Sequence, residues 1–264
     1  MRADKYFAEK FGSRTKSAQA IEKGLVLVNG KQIRVKDEIK ETDEITFITE
    51  EQTFVSNGGY KLERALKAFA FSCKNKIFVD IGASTGGFSD CLLQRGAEKI
   101  YAIDVGESLL HSSIAENPKV VIRENTNARY LTADDFDEEI DCAVTDVSFI
   151  SLRLIFPAIA NVVKEGGDAF VLIKPQFECE KKNIGKSGIV HTSAHTKIVE
   201  KVVNYGIENG LYPMEIINAP VRKGKNVEYV LHVKRTPLGG KSVAEIVKTV
   251  DNFLKNEYKA EETV

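Results

Sequence analysis

One segment, residues 76–95, constrains the fold of this chain more than any other. An apolar run over residues 77–79 is followed by an acid, Asp80, then by a glycine-rich turn and a helical pattern. This order predicts a buried parallel strand, a tight turn and a helix N-terminus, which together bring backbone N–H groups close to a bound cofactor. The turn contributes five candidate cofactor-binding residues: Gly82, Ser84, Gly86, Gly87 and Phe88.

A second predicted strand ends in another acid. Residues 99–103 are mostly apolar, and Asp104 follows them. A βαβ unit places the carboxylate that binds a ribose diol at about this separation, roughly 20 residues beyond the glycine turn. The unit is therefore predicted to bind an adenosine-containing cofactor, with Asp80 and Asp104 in its site.

The spacing of the glycines limits which cofactor this is. Asp80-x-Gly82-x-x-x-Gly86-Gly87 is neither the Gly-x-Gly-x-x-Gly of dinucleotide-binding folds nor the phosphate loop of nucleotide triphosphatases. An acid followed by a looser turn suits a cofactor that ends in an amino acid rather than in a phosphate. We predict S-adenosylmethionine. An ordinary strand–helix turn of another α/β enzyme is the alternative.

Composition excludes several other classes of protein. The 264 residues are 43% hydrophobic and carry a formal net charge of −1, so the overall charge indicates no partner. No apolar run approaches the roughly eighteen residues of a membrane span, and the first residues lack an apolar leader pattern. The cysteines lack metal-ligand spacing, and Cys91 and Cys142 lie in apolar runs, which predicts buried thiols and no metal site. We predict a cytoplasmic protein that does not contact a membrane.

The first 49 residues are predicted to form a separate basic domain. Residues 1–36 carry nine lysine and arginine residues against three acidic ones, which suits a phosphate backbone, although a solvated basic face is the alternative. Asn29-Gly30 predicts a hairpin turn. Helices are predicted over residues 3–11 and 14–23, and strands over 25–28, 31–35 and 43–48.

This basic domain resembles an S4 RNA-binding domain. The matching stretches are Ser13–Ala18, Ile21–Gly24, Val26–Lys31 and Asp43–Ile45. The resemblance implies that four cations face structured RNA: Arg14, Lys16, Lys23 and Lys31.

After a predicted linker over residues 50–57, strands and helices alternate from residue 58 to about 240. Alternation of this kind predicts an α/β fold with a doubly wound sheet. The last two strands resemble the antiparallel closing hairpin of class I methyltransferases. Residues 241–264 are predicted to be a helical extension. The predicted strands are 77–80, 100–104, 120–123, 141–145, 169–174, 214–218 and 227–234, and the helices include 61–70, 152–164 and 193–209.

Four charged residues stand where such sheets place their active sites, at strand ends and element starts. Asp146 follows the fourth strand, Lys174 ends the fifth, Glu228 begins the last, and Lys61 begins the helix before the first. The alternative for Lys174 is a purely structural ion pair.

These positions make the chain resemble the TlyA family, historically labelled hemolysins, which joins an S4 domain to an FtsJ-like ribosomal RNA 2′-O-methyltransferase domain. The resemblance implies a seven-stranded class I S-adenosylmethionine-dependent methyltransferase, ribosomal RNA or ribosomal subunits as partner, and cytidine as target. It also implies the catalytic set Lys61, Asp146, Lys174 and Glu228. The matching stretches are Gly58–Leu62, Asp80–Phe88, Cys91–Gly96, Thr145–Leu152 and Leu172–Glu178.

Methyl transfer to a ribose needs such a set because a 2′-hydroxyl is a poor nucleophile at neutral pH. A lysine can take its proton only if the amine is partly neutral, a form that burial and a second nearby ammonium favour. We therefore predict Lys174 as the base and Lys61 as the second cation, with Asp146 and Glu228 holding the two amines.

The sequence departs from the family pattern at Asn57 and Asn125, where arginine is usual, and over residues 107–113. Asn127 remains a candidate for binding the adenosine. The basic loop 180–191 is predicted to cover the target nucleotide, and a disordered loop is the alternative. Two other functions stay open at this point: an RNA-binding protein with a silent methyltransferase fold, and a membrane-active hemolysin.

Overall fold

The computed structural model describes residues 1–22, 24–40, 42–47, 54–222 and 224–258. The chain divides into two compact units, Met1–Thr53 and Phe54–Val264. The domain limits inferred from the sequence, at residues 49, 58 and 240, stay predictions.

The first unit is a small α+β structure around the buried side chains of Ala3, Phe7, Ile21, Val26 and Ile39. Its three strands have the order β2-β1-β3, antiparallel throughout. Its elements are α1 (Ala3–Tyr6), α2 (Ala8–Phe11), α3 (Arg14–Glu22), β1 (Val26–Val28), β2 (Lys31–Gln32) and β3 (Ile45–Phe47).

Two predictions for this unit were wrong in detail. The helix over residues 3–11 is interrupted at Phe7, whose buried ring packs edge-on against Phe47. The strand over 31–35 stops at Gln32, because the carbonyl groups of Val35 and Asp37 accept hydrogen bonds from the start of α1 instead of pairing with β1. Tertiary contacts therefore override the local pattern in both places.

The second unit has a seven-stranded sheet of order β6-β5-β4-β7-β8-β10-β9 within the described residues. β10 runs opposite to the other six strands, as the predicted closing hairpin requires. The strands are β4 (Ile77–Ile81), β5 (Lys99–Ile103), β6 (Val120–Arg123), β7 (Ile140–Thr145), β8 (Val163–Ile173), β9 (Tyr212–Asn218) and β10 (Tyr229–Lys234). The helices are α4 (Asn57–Ala68), α5 (Gly87–Gln94), α6 (Ser112–Ala115), α7 (Phe156–Val162), α8 (Pro175–Glu178), α9 (Thr192–Glu208) and α10 (Val243–Asn256).

This topology collects the predicted site at one edge of the sheet. The parallel strands β5, β7 and β8 end immediately before Asp104, Asp146 and Lys174. Because β10 is antiparallel to β8, with Tyr229 opposite Ile173, the residue that precedes β10, Glu228, lies at that same edge. The carboxyl ends of parallel strands are where α/β sheets bind ligands.

Three predicted boundaries need correction. Glu228 precedes the last strand rather than beginning it. Lys61 lies one turn inside its helix, because the Ser56 side chain accepts a hydrogen bond from the Gly58 N–H and caps α4 earlier than predicted. The helix over 152–164 consists of a 3₁₀ turn and then α7, and it ends at Val162 because Val163 pairs with Ile140 as the first residue of β8.

Buried apolar side chains cover both faces of the sheet. The C-terminal helix α10 adds Ile246, Val250 and Phe253 to one face. Cys91 and Cys142 are buried free thiols, as predicted, and desolvation raises the pKa of each. Among the described residues, no helix combines the length and apolar character needed to span a bilayer.

Candidate active site

The four predicted catalytic side chains meet in one row of alternating charge. Lys61 Nζ lies 2.7 Å from Glu228 Oε2 and 3.6 Å from Asp146 Oδ2. Lys174 Nζ lies 2.6 Å from the other carboxylate oxygen of Asp146. The two lysines therefore share one aspartate, and the row runs Glu228–Lys61–Asp146–Lys174.

The row is largely withdrawn from solvent. The Lys174 side chain is only 11% exposed, and its Nζ also donates a hydrogen bond of 2.7 Å to Ser148 Oγ. Because two oxygen atoms contact Lys174 Nζ, a further partner of this amine must approach it from a defined direction. Ser148 was not predicted as a site residue, because a serine three positions beyond a strand has no distinctive pattern.

Close packing of two helices brings Lys61 to this edge. A Cβ atom on Gly87, at the start of α5, would lie 2.1 Å from Ser56 Oγ and 3.0 Å from the Gly59 nitrogen. Only glycine allows the first turns of α4 and α5 to approach this closely. Gly87 thus positions Lys61 through the α4 backbone as well as lining the cavity next to Asp146.

A large cleft opens beside the row. It has a volume of about 860 Å³ and a mostly apolar wall. Of the predicted cofactor-binding residues, Gly82, Ser84, Asp104 and Asn127 line it. The two carboxylate oxygens of Asp104 accept 2.8 Å hydrogen bonds from the N–H groups of Ser84 and Gly106, so the backbone fixes its orientation.

A narrow chamber continues from the cleft towards Lys174. Its volume is about 160 Å³, and its walls include Gly87, Phe88, Asp146 and Lys174. Gly82, Ser84, Asp146 and Ser148 line both cavities, so the two lie side by side.

This pair of cavities fits S-adenosylmethionine. The wide apolar cleft with a fixed carboxylate suits adenosine, because Asp104 has lone pairs left for ribose hydroxyls. The glycine turn packs closely against Val147. Gly82 has φ +82°, and a Cβ atom there would lie 3.0 Å from the Val147 side chain. A cofactor seated in this way would direct its reactive end along the chamber towards Asp146 and Lys174.

Two predicted cofactor-binding residues, Asp80 and Gly86, do not line either cavity. Asp80 lies inside β4, is 0% exposed, and accepts a 2.7 Å hydrogen bond from Ser89 Oγ. Burial raises its pKa to about 7. Gly86 is the residue immediately before α5 and has φ +89°, and a Cβ there would contact Leu110 and Ile114. Both residues therefore support the conformation of the glycine turn from outside the two cavities.

Phe149 is an unpredicted feature of the cleft wall. Its side chain is 91% exposed and its φ is +62°, a conformation that is rare for a bulky residue. Its ring centroid lies 5.0 Å from that of Phe177. The apolar pattern of residues 147–150 gave no reason to expect an exposed ring.

The basic loop 180–191 has defined structure. A 3₁₀ turn covers Lys181–Asn183, and Ile184 forms a bridge with Val190. Asn226, two residues before Glu228, accepts a hydrogen bond from the Val190 N–H at 2.8 Å and donates one to the Gly188 carbonyl at 3.1 Å. The loop is therefore attached to the segment that carries Glu228.

The predicted RNA-facing cations belong to the first unit. Arg14, Lys16 and Lys31 are exposed, and Lys23 lies outside the described residues. Arg14 also forms a 2.7 Å ion pair with the buried carboxylate of Asp4, which lowers the pKa of Asp4. Within the residues that the structure describes, no group of His, Cys, Asp and Glu side chains is arranged to hold a metal ion.

Comparison with known proteins decides the family. The FtsJ-like methyltransferase model matches residues 54–235, and the S4 domain model matches residues 1–45. The chain is 36% identical over 226 residues to the 16S/23S rRNA (cytidine-2′-O)-methyltransferase TlyA of Mycobacterium tuberculosis, covering 84% of each protein. This chain belongs to the TlyA family.

Other similar proteins match this chain over most of its length. Hemolysin A of Brachyspira hyodysenteriae is 39% identical over 238 residues, covering 88% of this chain and 99% of that protein. The solved structure of a Streptococcus thermophilus protein described as a candidate hemolysin matches with a TM-score of 0.71 at 34% identity, covering 98% of both chains. The predicted TlyA resemblance, α/β fold and S4 domain are thus confirmed. As a TlyA-family methyltransferase the chain uses S-adenosylmethionine, which confirms the predicted cofactor.

Asp104 provides a test of the cofactor cleft. Replacing it by alanine should weaken S-adenosylmethionine binding by about 10- to 100-fold, because a fixed charged acceptor for the ribose hydroxyls is removed. Titration calorimetry on the full-length protein measures this. Asp104→Asn, which keeps one acceptor oxygen, should lie between alanine and wild type. Unchanged affinity in the alanine variant would remove Asp104 from the cofactor site.

Proposed function

We propose that this TlyA-family protein transfers a methyl group from S-adenosylmethionine to the 2′-hydroxyl of a cytidine in ribosomal RNA. The observation that carries the proposal is the Glu228–Lys61–Asp146–Lys174 row, which lies where the cofactor chamber ends. The Mycobacterium tuberculosis relative is named for this reaction on 16S and 23S rRNA. A cytoplasmic location, where ribosomes are accessible, is part of the proposal.

The proposed roles follow from the contacts. When bound, S-adenosylmethionine supplies an electrophilic methyl group. Lys174, fixed by Asp146 and Ser148, accepts the proton of the 2′-hydroxyl in its neutral form. Lys61 orients the hydroxyl oxygen, and Glu228 and Asp146 hold Lys61 in place. Holding the hydroxyl in line with the methyl group contributes through orientation as well as through proton transfer.

Mapping ribose methylation tests the proposal directly. Ribosomal RNA from cells with and without this protein should differ at one or more cytidine 2′-positions. Wild-type protein should restore the methylation, and a Lys174→Ala variant should not. Identical methylation maps in the two strains would refute the proposal.

The alternatives have less support. A silent RNA-binding protein does not need the complete charged row, which costs desolvation to assemble. The name Hemolysin A belongs to a relative, and no feature of the described residues of this chain favours a membrane-active function over methyl transfer.

The first unit is proposed to bind RNA phosphates through its exposed lysines. The double variant Lys16→Glu/Lys31→Glu should weaken binding to ribosomal RNA. It should also lower the salt dependence, by about one unit of log–log slope for each lysine that no longer neutralises a phosphate. Filter binding over a salt series measures both. Arg14 is kept unchanged because a glutamate there would lie beside Asp4 and could unfold the unit.

A second variant with the same net charge distinguishes a local effect of Lys16 and Lys31 from an effect of the overall charge. Lys197→Glu/Lys248→Glu, at exposed positions on α9 and α10, makes the same change in net charge in the second unit. It should leave the salt slope near that of wild type. Equal slopes for wild type and Lys16→Glu/Lys31→Glu would argue against phosphate binding by these two lysines.

A further inference from the structure

The segment that follows β7 lines both the cleft and the chamber. Residues 146–151, called the site loop below, all line the cleft, and Asp146 and Ser148 also line the chamber beside Lys174. The site loop is neither helix nor strand, and among the described residues its N–H groups from residue 147 onwards donate no hydrogen bond to another backbone group. Segments with few backbone hydrogen bonds open easily, so the position of this loop depends on the side chains that hold it.

A buried carboxylate holds the far end of the site loop. Glu178 Oε1 accepts a 2.7 Å hydrogen bond from the Leu152 N–H, and Glu178 Oε2 accepts a 2.8 Å hydrogen bond from Ser151 Oγ. Glu178 is only 4% exposed, and burial raises the pKa of its carboxyl group. A buried carboxylate is costly unless hydrogen bonds compensate for the lost water, so these two bonds hold the carboxylate and the loop end together.

Glu178 also belongs to the segment that carries Lys174. Helix α8 begins immediately after Lys174 and ends at Glu178, and the Phe177 N–H donates a 2.9 Å hydrogen bond to the Lys174 carbonyl. The Glu178 carbonyl accepts a hydrogen bond from Lys201 Nζ of α9, which fixes the segment from its other side. Glu178 therefore sets the position of the site loop relative to the Lys174 amine.

The backbone between the two attachment points of the site loop is strained. Phe149 has φ +62° and lies between Ser148, which accepts a hydrogen bond from Lys174 Nζ, and Ser151, which donates one to Glu178. A bulky residue persists in this conformation only where its surroundings hold it. Loss of the Glu178 contact should therefore let the loop relax away from Lys174.

We propose that Glu178 is a positioning residue for methyl transfer: its carboxylate fixes the site loop so that Asp146 and Ser148 hold Lys174 Nζ towards the 2′-hydroxyl. The inference rests on the proposed function and adds a residue that lines neither the cleft nor the chamber. A misplacement of about 1 Å can lower a rate by about 10²-fold, so a change at Glu178 should act on the reaction through the loop.

Single-turnover methyl transfer at saturating S-adenosylmethionine and ribosomal RNA, well below the unfolding temperature, tests the inference. Glu178→Ala should lower the rate by about 10- to 100-fold, because the loop end loses both acceptors. Glu178→Gln should stay within a few-fold of wild type, because an amide can accept from the Leu152 N–H and donate to Ser151 Oγ. Ser151→Ala removes one of the two bonds and should give a smaller decrease.

Asp141 offers a matched control for lost stability. Its carboxylate also joins two other segments, since Asp141 Oδ2 accepts a 2.8 Å hydrogen bond from the Ile77 N–H and Asp141 Oδ1 pairs with Lys164 Nζ. Asp141 is the second residue of β7 and lies near the end of the sheet opposite the site. Asp141→Ala should lower the resistance to urea, as Glu178→Ala should, but it should leave the saturated rate within a few-fold of wild type.

A fluorescent reporter detects the position of the site loop without any reaction. The chain contains no tryptophan, so Phe149→Trp introduces a single one on the loop, where the side chain is 91% exposed. In this background Glu178→Ala should lower the fluorescence anisotropy, because a released loop moves on the nanosecond timescale. Glu178→Gln and Asp141→Ala should leave the anisotropy unchanged.

Three results would overturn the inference while the proposed function stands: a wild-type saturated rate in Glu178→Ala, an unchanged anisotropy in that variant, or a Glu178→Gln enzyme as slow as alanine. If Glu178→Ala does not fold, Ser151→Ala decides by the same two measurements. Absence of any ribose methylation by wild type would overturn the proposed function instead. The anisotropy, which needs no reaction, would then still decide whether Glu178 fixes the site loop.

Discussion

Replacing Lys174 by alanine should lower the single-turnover rate of methyl transfer by about 10²–10⁴-fold, the usual contribution of a positioned proton acceptor. The decrease is expected because Lys174 Nζ is the amine nearest to both Asp146 and the cofactor chamber. Binding of S-adenosylmethionine and of RNA should remain measurable. The rate is measured on a ribosomal RNA fragment or subunit with the enzyme in excess.

Arginine at the same position separates proton transfer from fixed charge. Lys174→Arg should be nearly as slow as alanine, because a guanidinium stays protonated and cannot accept the hydroxyl proton. An arginine variant with chemistry close to wild type would show that Lys174 acts only as a positive charge.

Lys164 offers a matched control on the same strand. It lies near the opposite end of β8 and pairs with an aspartate of β7, with Lys164 Nζ 2.5 Å from Asp141 Oδ1. Lys164→Ala therefore removes a lysine–aspartate pair between the same two strands, away from the site. Its methyl-transfer rate should stay within a few-fold of wild type. A large decrease in this control would indicate that any break of a β7–β8 ion pair disturbs the enzyme.

Replacing Asp80 by asparagine should make the stability of the protein less dependent on pH. Burial raises the pKa of Asp80 from 3.8 to about 7 in the folded protein. Between these values the folded state holds a proton that the unfolded chain has released, so stability falls as the pH rises. Above pH 7 both states are ionised, and the full penalty of the buried carboxylate is present. That penalty is up to about 4 kcal/mol.

Asparagine avoids this penalty and can still accept the hydrogen bond from Ser89 Oγ. Asp80→Asn should be within about 1 kcal/mol of wild type in urea unfolding near pH 4.5, and it should become more stable than wild type by up to about 4 kcal/mol at pH 8. Urea denaturation without cofactor at a series of pH values measures the difference. Stability curves that run parallel from pH 4.5 to 8 would show that the pKa of Asp80 is not raised.

Local sequence patterns were enough to predict the order of strands and helices and the edge at which the site lies. Asp104, Asp146 and Lys174 each follow an apolar strand, and the ends of parallel strands meet at one edge of a sheet. The glycine spacing likewise limited the cofactor, because backbone that must approach a ligand closely excludes larger residues. Each of these patterns lies within one short segment, so it can be recognised from the sequence of that segment alone.

Which of two similar acids lines the cleft depends instead on the folded sheet. Asp80 and Asp104 both follow apolar residues, but β4 continues through Ile81, so Asp80 pairs with Ala102 and Val144 in the middle of the sheet. Ile81 lines the cleft, and the Asp80 carboxylate points to the opposite face of the sheet, since successive side chains of a strand point to opposite faces.

The pairing within the row also required the folded structure. Lys61 and Glu228 are far apart in the chain but lie 2.7 Å apart at their charged atoms, through the close packing of α4 on α5 and the antiparallel course of β10. Contacts between distant segments depend on packing geometry, which the spacing of residues along one segment does not encode.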